Sequence, residues 1–237
     1  MYLDADDLIS PDKIELQVEA LSHADPKAVA ICAWEEFYFQ PSAKITSRPF
    51  YMSYSSPVDL LTTMWSEGGW MAVTCYLIPR QLIVESGDWD ESLMSNQDGE
   101  FMCRVLAHTS HIVWVSSALM HYRRGHASIS TSNTRSFAKL RSRLDSFISY
   151  ERTLLPIADS QQLRNALARN YALIACSADY CSPLCAEAIE RIMRLGLSPT
   201  HPYPKSFLGR IARIIGLLPT LRIRSLALKI KSHIRRN

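Results

Sequence analysis

Residues 1–14 read MYLDADDLISPDKI, and this stretch constrains the fold more than any other. Its apolar start predicts the end of a buried strand, and the acidic cluster at residues 4–7 follows at once. Ser10 and Pro11 then predict the beginning of a helix, because serine caps helices and proline fits the first helical position. Apolar residues recur at helical spacing as far as Leu21. We therefore expect a strand, an acidic turn and a helix in succession.

The acidic cluster places the carboxylates of Asp4, Asp6 and Asp7 within four residues. Such carboxylates repel one another unless they are solvated or neutralised by a cation. Oxygen-rich clusters suit hard divalent ions such as Mg²⁺ or Mn²⁺, which bridge to phosphates. The alternative is a solvated acidic turn that caps the following helix, and the cluster alone leaves both open.

Outward from this stretch, strand and helix patterns alternate before helices take over. Apolar runs predict buried strands at residues 28–34, 71–78 and 111–117, the last continuing as an edge to Arg124. Helical patterns fall at 58–65, 98–107, 136–155, 160–181 and 183–195. The order predicts an α/β fold with a helical C-terminal extension.

A second polar stretch reads GDWDESL at residues 87–93, followed by QDGEF at 97–101 and Arg104. Asp98 stands at the start of a predicted helix. It can serve as a helix N-cap, as a positioned carboxylate that accepts a proton, or as both. A third polar stretch, HYRRGH at 121–126, follows the last predicted strand.

These three stretches, in this order and spacing, resemble the motifs of family 2 glycosyltransferases between Leu3 and Ser130. The resemblance implies a GT-A, Rossmann-like α/β fold and a single displacement with inversion. The sugar would pass from a nucleotide-diphospho-sugar to a hydroxyl acceptor on a glycan or lipid, in polysaccharide or cell-envelope glycan synthesis. Such an enzyme is a metal-dependent hexosyltransferase.

The resemblance also implies roles for individual residues. Asp6, with Asp4 and His126, would hold Mn²⁺ or Mg²⁺. Asp98 would be the general base, although Gln97 replaces the acidic residue that commonly precedes it. Arg123 would contact the departing diphosphate.

Gly69 and Trp70 match the position of the acceptor-sugar platform in the same family. An aromatic face can stack on a sugar ring, and a tryptophan can equally belong to the core. Both interpretations of Trp70 stay open at this stage.

The same resemblance divides the chain into three parts. Residues 1–131 would form the C-terminal portion of a GT-A domain, 132–198 a helical extension, and 199–237 a proline-rich linker with a basic amphipathic tail. Relatives begin with a strand–helix–strand–helix section, so about 60 residues or more would be absent before Met1. An N-terminally truncated, non-catalytic remnant or interaction module is therefore the alternative to an active enzyme.

Charge is distributed unevenly along the chain. Nine basic residues and no acidic residue lie from Lys205 to the end, which leaves 17 basic against 23 acidic residues before it. The tail can lie on an anionic membrane surface or pack on the protein with a solvated basic face. The acidic body argues against nucleic acid as a partner. Cysteine spacing without a C-x-x-C pair and the lack of a signal sequence predict a cytoplasmic protein. The basic tail could make that protein peripheral on the inner face of the cell membrane.

Overall fold

The computed structural model describes residues 1–41, 44–124 and 136–234. Its strands are β1 (Leu8–Ile9), β2 (Val29–Phe37), β3 (Tyr76–Leu77) and β4 (Ile112–Arg123). The helices of the first half are α1 (Lys13–Ser22), α2 (Pro57–Ser66), α3 (Arg80–Ser86) and α4 (Gln97–Ala107). Those of the second half are α5 (Phe137–Leu154), α6 (Gln161–Ser177), α7 (Pro183–Arg194), α8 (Phe207–Ile215) and α9 (Leu217–Ile234).

The described residues form a four-stranded mixed sheet in the order β1-β4-β2-β3. β2 and β4 are parallel, whereas the two short outer strands pair antiparallel to them. The run Val29–Trp34 of β2 is buried throughout, as expected of a strand covered on both faces. The predicted α/β class is confirmed in this coarse form.

The strand predictions are wrong in three details. Residues 1–3 are not in a strand, and the chain first pairs with the sheet at Leu8 and Ile9. The predicted strand at 71–78 is reduced to β3, preceded by a 3₁₀ turn at Val73–Cys75. β4 is one continuous strand that pairs on both sides, so its second half is not an edge.

Helix α1 begins at Lys13, with Asp12 and not Ser10 at the N-cap position. Ser10 is used elsewhere, because its hydroxyl accepts a hydrogen bond from the backbone N–H of Leu119 at 3.2 Å. This bond continues the short β1–β4 pairing beyond Ile9, and the helix begins two residues later than predicted, at Lys13 instead of Pro11.

The face that α1 turns toward the sheet contains polar residues. Lys13 and Gln17 are fully buried, while Ile14 and Val18 are largely exposed. The Lys13 ammonium donates to Gln17 Oε1 at 2.6 Å, and the Gln17 amide donates to the carbonyl of Cys75 at 3.0 Å. Burial lowers the pKa of Lys13, because it penalises the charged form.

Helices α5 to α7 begin at the predicted places, each behind a serine. The hydroxyls of Ser136, Ser160 and Ser182 each accept a backbone N–H from the first turn of their helix. These helices extend the core of the α/β part, since Trp65 of α2 stacks on Tyr150 of α5 at 4.5 Å.

The C-terminal helices α8 and α9 meet at Gly216, whose φ of 87° is favourable for glycine. Gly216 therefore interrupts the helical tail as predicted. Pro219 does not interrupt the helix but lies in the first turn of α9. Proline is tolerated there because the backbone N–H groups of the first turn make no hydrogen bond within the helix.

Candidate functional site

A cavity of about 430 Å³ lies between the start of the chain and the beginning of α4. Its lining contains four carboxylates, from Asp4, Asp90, Glu91 and Asp98, beside the aromatic ring of Trp89. The volume is in the range of small-ligand sites. Because the lining is acidic, an anionic ligand would need a cation to accompany it.

Asp98 reaches this cavity because of how α4 begins. Asn96 precedes the helix in the left-handed conformation, with φ of 65°. Its side-chain amide donates to Ser146 Oγ and to the Tyr150 hydroxyl, each at 2.7 Å. Asn96 is thus the N-cap residue, and the interpretation of Asp98 as an N-cap is wrong. Asp98 is the second residue of α4 and so lies in its first turn, where the helix dipole favours a carboxylate.

The pKa of Asp98 is raised above its usual value. Desolvation by the surrounding protein is the main cause, and the negative charge of Asp4 adds to it. A hydrogen bond from its own backbone N–H opposes the shift. Asp98 itself remains accessible to solvent, and a carboxylate with a raised pKa is a better proton acceptor than one with the usual pKa, which suits a general base.

An aromatic cluster holds the start of the chain beside α4. Trp89 stacks on Phe101 of α4 with ring centroids 4.4 Å apart and planes 12° apart. Tyr2 presents its ring to both, at 5.3 Å from Trp89 and 5.6 Å from Phe101. Asp4 follows two residues after Tyr2, so this cluster brings it into the cavity with Asp98.

Asp7 is the buried member of the acidic cluster, with 7% of its surface exposed. Its Oδ1 accepts the backbone N–H of Arg123 at 2.8 Å, and its Oδ2 has no hydrogen-bond partner among the described residues. Burial raises the pKa of Asp7 to about 6, and the charges of Asp4 and Asp6 contribute. The member of the cluster that the fold buries is thus Asp7, for which the sequence indicated no definite role.

Arg123 ends β4 beside the acidic turn. Its side-chain Nε donates to the backbone carbonyl of Asp6 at 2.7 Å, and its guanidinium lies 4.4 Å from the centre of the Phe37 ring. The side chain of Asp6 is exposed on the same turn. The structure therefore brings Asp4, Asp6 and Arg123 to one end of the sheet, with Asp4 alone lining the cavity beside Asp98.

Trp70 belongs to a different aromatic group, beyond the lining of the cavity. Its ring centroid is 4.3 Å from that of Trp34 and 5.2 Å from that of Tyr122, and 41% of the residue is exposed. Gly69 lies against Phe50, and a Cβ at this glycine would come within 2.5 Å of the phenylalanine ring. Trp70 is thus neither fully core nor part of the acidic cavity.

The remaining predicted ligand, His126, lies outside the described residues. Within residues 1–41, 44–124 and 136–234, no group of three or more His, Cys, Asp or Glu residues could enclose a metal ion. All six cysteines are free thiols in this part of the chain. A cation at the cavity would therefore have few protein ligands among these residues.

The sequence interpretation missed the network that fixes α4. Glu100 is buried and accepts two hydrogen bonds from Arg104, each at 2.9 Å, and one from Ser149 at 2.7 Å. Arg104 also donates to the backbone carbonyls of Ser86 and Asp88. The glutamate and arginine are four residues apart on a helix, and that spacing was the available signal.

No family model, curated protein or solved structure matches the chain. The chemistry of the site therefore depends on the cavity itself. Carboxylates at its wall can accept protons or bind a hydrated cation, and the arginine at the end of β4 can attract an anion nearby. The central geometric feature is that Asp4 and Asp98 line the same cavity.

Proposed function

We propose that this chain is an inverting glycosyltransferase with a GT-A type α/β part. It would transfer a sugar from a nucleotide-diphospho-sugar to a hydroxyl group of a glycan or lipid acceptor in cell-envelope synthesis. The observation that carries the proposal is the placement of Asp4 and Asp98 in the lining of one cavity, although they lie far apart in the sequence. The ordered motifs of the sequence support the same assignment.

Asp98 is the general base in this proposal. The acceptor hydroxyl oxygen attacks the anomeric carbon as its proton passes to the Asp98 carboxylate. The bond between that carbon and the diphosphate oxygen breaks, and its electron pair leaves with the diphosphate. The raised pKa of Asp98 supports this role, because it strengthens the carboxylate as a proton acceptor.

The acidic turn and Arg123 would hold the donor diphosphate. Mg²⁺ or Mn²⁺, when bound, would supply positive charge that offsets the phosphate oxygens. The exposed carboxylates of Asp4 and Asp6 are suitable ligands, since Mg²⁺ usually keeps several waters and takes one or two carboxylates with substrate phosphates. Arg123, tied to the Asp6 carbonyl, adds a charge-assisted donor next to them.

The test measures release of nucleoside diphosphate from UDP-glucose, GDP-mannose and dTDP-glucose with MnCl₂ present. Asp98→Asn should lower turnover about 10²–10⁴-fold, the usual contribution of a positioned general base. Donor binding, measured by calorimetry, should stay within a factor of about 3, since the uncharged amide removes only the proton acceptor.

Glu91→Gln is the matched control, because it removes one negative charge from the lining of the same cavity. Its turnover should stay close to that of the wild type. Equal losses in both variants would contradict a specific role for Asp98. A wild-type chain that neither binds nor cleaves any of these donors would favour the non-catalytic alternative.

Metal binding has a test that is independent of turnover. MnCl₂ should raise the melting temperature of the wild-type protein, because the cation relieves repulsion within the acidic turn. Asp4→Asn/Asp6→Asn should remove most of this shift. An equal shift in the variant would place the cation elsewhere.

A further inference from the structure

Helix α8 presents large apolar side chains to solvent. Phe207 is 72% exposed and Ile214 is 84% exposed, and seven residues separate them, which places both on one side of the helix. Arg210 is exposed on the same side, and Arg213 is also exposed. The opposite side is filled, since Gly209 and Ala212 are buried. The inner side of α8 thus already packs on the protein, and the exposed Phe207 and Ile214 do not take part in that packing.

Helix α9 repeats this arrangement over a greater length. Leu217, Thr220 and Leu221 are buried on its inner side. The outer side combines four exposed apolar residues with an exposed arginine: Leu218, Arg222, Ile223, Leu226 and Ile230. Apolar and basic side chains therefore share one outward face instead of occupying opposite faces.

The charge of this region has one sign. From Lys205 onward the sequence contains nine basic residues and no acidic residue, whereas the preceding part has an excess of acidic residues. A helix that is only solvated would carry its basic residues without several leucines and isoleucines beside them. The mixture of basic and exposed apolar side chains is typical of helices that lie in a membrane interface.

We propose that the outward face of α8 and α9 binds the surface of an anionic phospholipid bilayer. The arginines would attract the lipid headgroups, and Phe207, Ile214 and Leu226 would enter the boundary between headgroups and acyl chains. The helices would lie in the plane of the interface. None of the described helices is both long enough and apolar enough to cross a membrane.

Two other occupants fit this face less well. A second copy of the chain would bring two positively charged faces together, and like charges oppose that contact. A nucleic acid would satisfy the arginines, but it would leave the exposed isoleucines and leucines in water. Of these three occupants, the bilayer is the one that satisfies both classes of side chain. This inference does not depend on the proposed transferase activity.

The first experiment measures sedimentation of the full chain with vesicles. Vesicles of phosphatidylcholine and phosphatidylglycerol at 3:1 should bind the protein at least about tenfold more tightly than pure phosphatidylcholine. Arg210→Glu/Arg222→Glu should weaken binding to the anionic vesicles by about tenfold or more. The matched control is Arg80→Glu/Arg152→Glu, which reverses two exposed arginines of α3 and α5 and should bind as the wild type does.

The second experiment tests the apolar contribution. Phe207→Ser/Ile214→Ser should weaken binding about tenfold, while Val84→Ser/Met94→Ser, at two exposed positions of the body, should not. Circular dichroism establishes that each variant is folded. Equal binding to both vesicle types, or unchanged binding of the Phe207 and Ile214 variant, would overturn the proposal. Tighter binding to short duplex DNA than to vesicles, or a dimer dispersed by Ile214→Ser, would also overturn it.

Discussion

The acidic turn at residues 4–7 and the basic helices α8 and α9 carry opposite charges and hold them in different ways. In the turn, Asp7 accepts a backbone N–H of β4, and Asp4 lines a cavity with Asp98. In the tail, Arg210 and Arg222 are exposed on helices that are already packed on their inner sides. The charge of Asp7 is thus held by a specific contact, as is that of Arg224 in α9, which donates to the carbonyl of Cys176, whereas the exposed charges of Arg210 and Arg222 act together.

This difference has a consequence for substitutions. Where a charge is buried and bonded, one substitution removes a specific interaction and leaves a partner unsatisfied. Where charges are solvated, each contributes little alone, and only several together alter binding or stability. We therefore expect large effects from single substitutions near α4 and small effects from single substitutions of the exposed tail arginines Arg210 and Arg222.

The largest expected effect is that of Glu100→Ala. The carboxylate of Glu100 accepts hydrogen bonds from Arg104 and Ser149 in a buried setting, so its removal leaves Arg104 without its ionic partner. The free energy of unfolding, measured in urea, should fall by about 3 kcal/mol.

The chain offers a matched control for that substitution. Glu190 and Arg194 form a salt bridge at the same spacing of four residues, but both side chains are more than half exposed. Glu190→Ala should change the free energy of unfolding by less than about 0.5 kcal/mol. Similar losses at Glu100 and Glu190 would contradict the distinction between bonded and solvated charge.

The next effect is that of Trp89→Ala. Trp89 stacks on Phe101 and contacts Tyr2, so its removal should lower the free energy of unfolding by about 2 kcal/mol and release the first residues from α4. Release would move Asp4 away from Asp98, and the pKa of Asp98, followed by NMR, should fall toward its usual value. Phe39→Ala, at a residue 88% exposed, is the control and should alter neither quantity.

A smaller effect, dependent on pH, is expected for Asp7→Asn. Because the pKa of Asp7 is raised from 3.8 to about 6 on folding, its ionisation costs stability as pH rises between these values. Asparagine keeps an oxygen for the Arg123 N–H and carries no charge. The melting temperature of the variant should exceed that of the wild type by about 2–4 °C at pH 7.5, as for about 1 kcal/mol. The two should agree below pH 4, and a less stable variant at pH 7.5 would contradict the assignment.

The sequence predicted well those elements whose boundaries are marked by local chemistry. Helices were predicted from residues 58, 136, 160 and 183, and α2, α5, α6 and α7 begin within one residue of those positions. Gly216 separates α8 from α9 for the same reason, because its φ suits glycine. Capping and turn residues act within a few positions, so one sequence can indicate such boundaries, although Ser10 and Asp98 do not cap α1 and α4 as predicted.

Features that depend on packing were not predictable in the same way. The spacing of Ile14 and Val18 predicts α1 correctly, yet the sheet buries Lys13 and Gln17 instead, since Gln17 satisfies the Cys75 carbonyl. The N-cap role moved from Asp98 to Asn96 because Asn96 bonds to two residues of α5 about fifty positions away. Contacts at such separation leave no local signal.

The smallest expected effect is that of Arg222→Ala in the tail. Arg222 is exposed on the outer side of α9, and alanine is the best helix former, so the free energy of unfolding should change by less than about 0.5 kcal/mol. One charge among nine should also reduce binding to anionic vesicles by no more than about fivefold.

The response to salt separates this substitution from those in the α/β part. Raising NaCl from about 0.05 to about 0.5 M shortens the Debye length from about 14 to about 4 Å. This change should abolish the small difference in vesicle binding between Arg222→Ala and the wild type. The loss caused by Glu100→Ala should largely persist in the same salt, because the Glu100 side chain is only 5% exposed and buried pairs are screened much less than exposed ones. A tail substitution whose effect on unfolding is large and insensitive to salt would mean that α9 holds its charges as specifically as the acidic turn does.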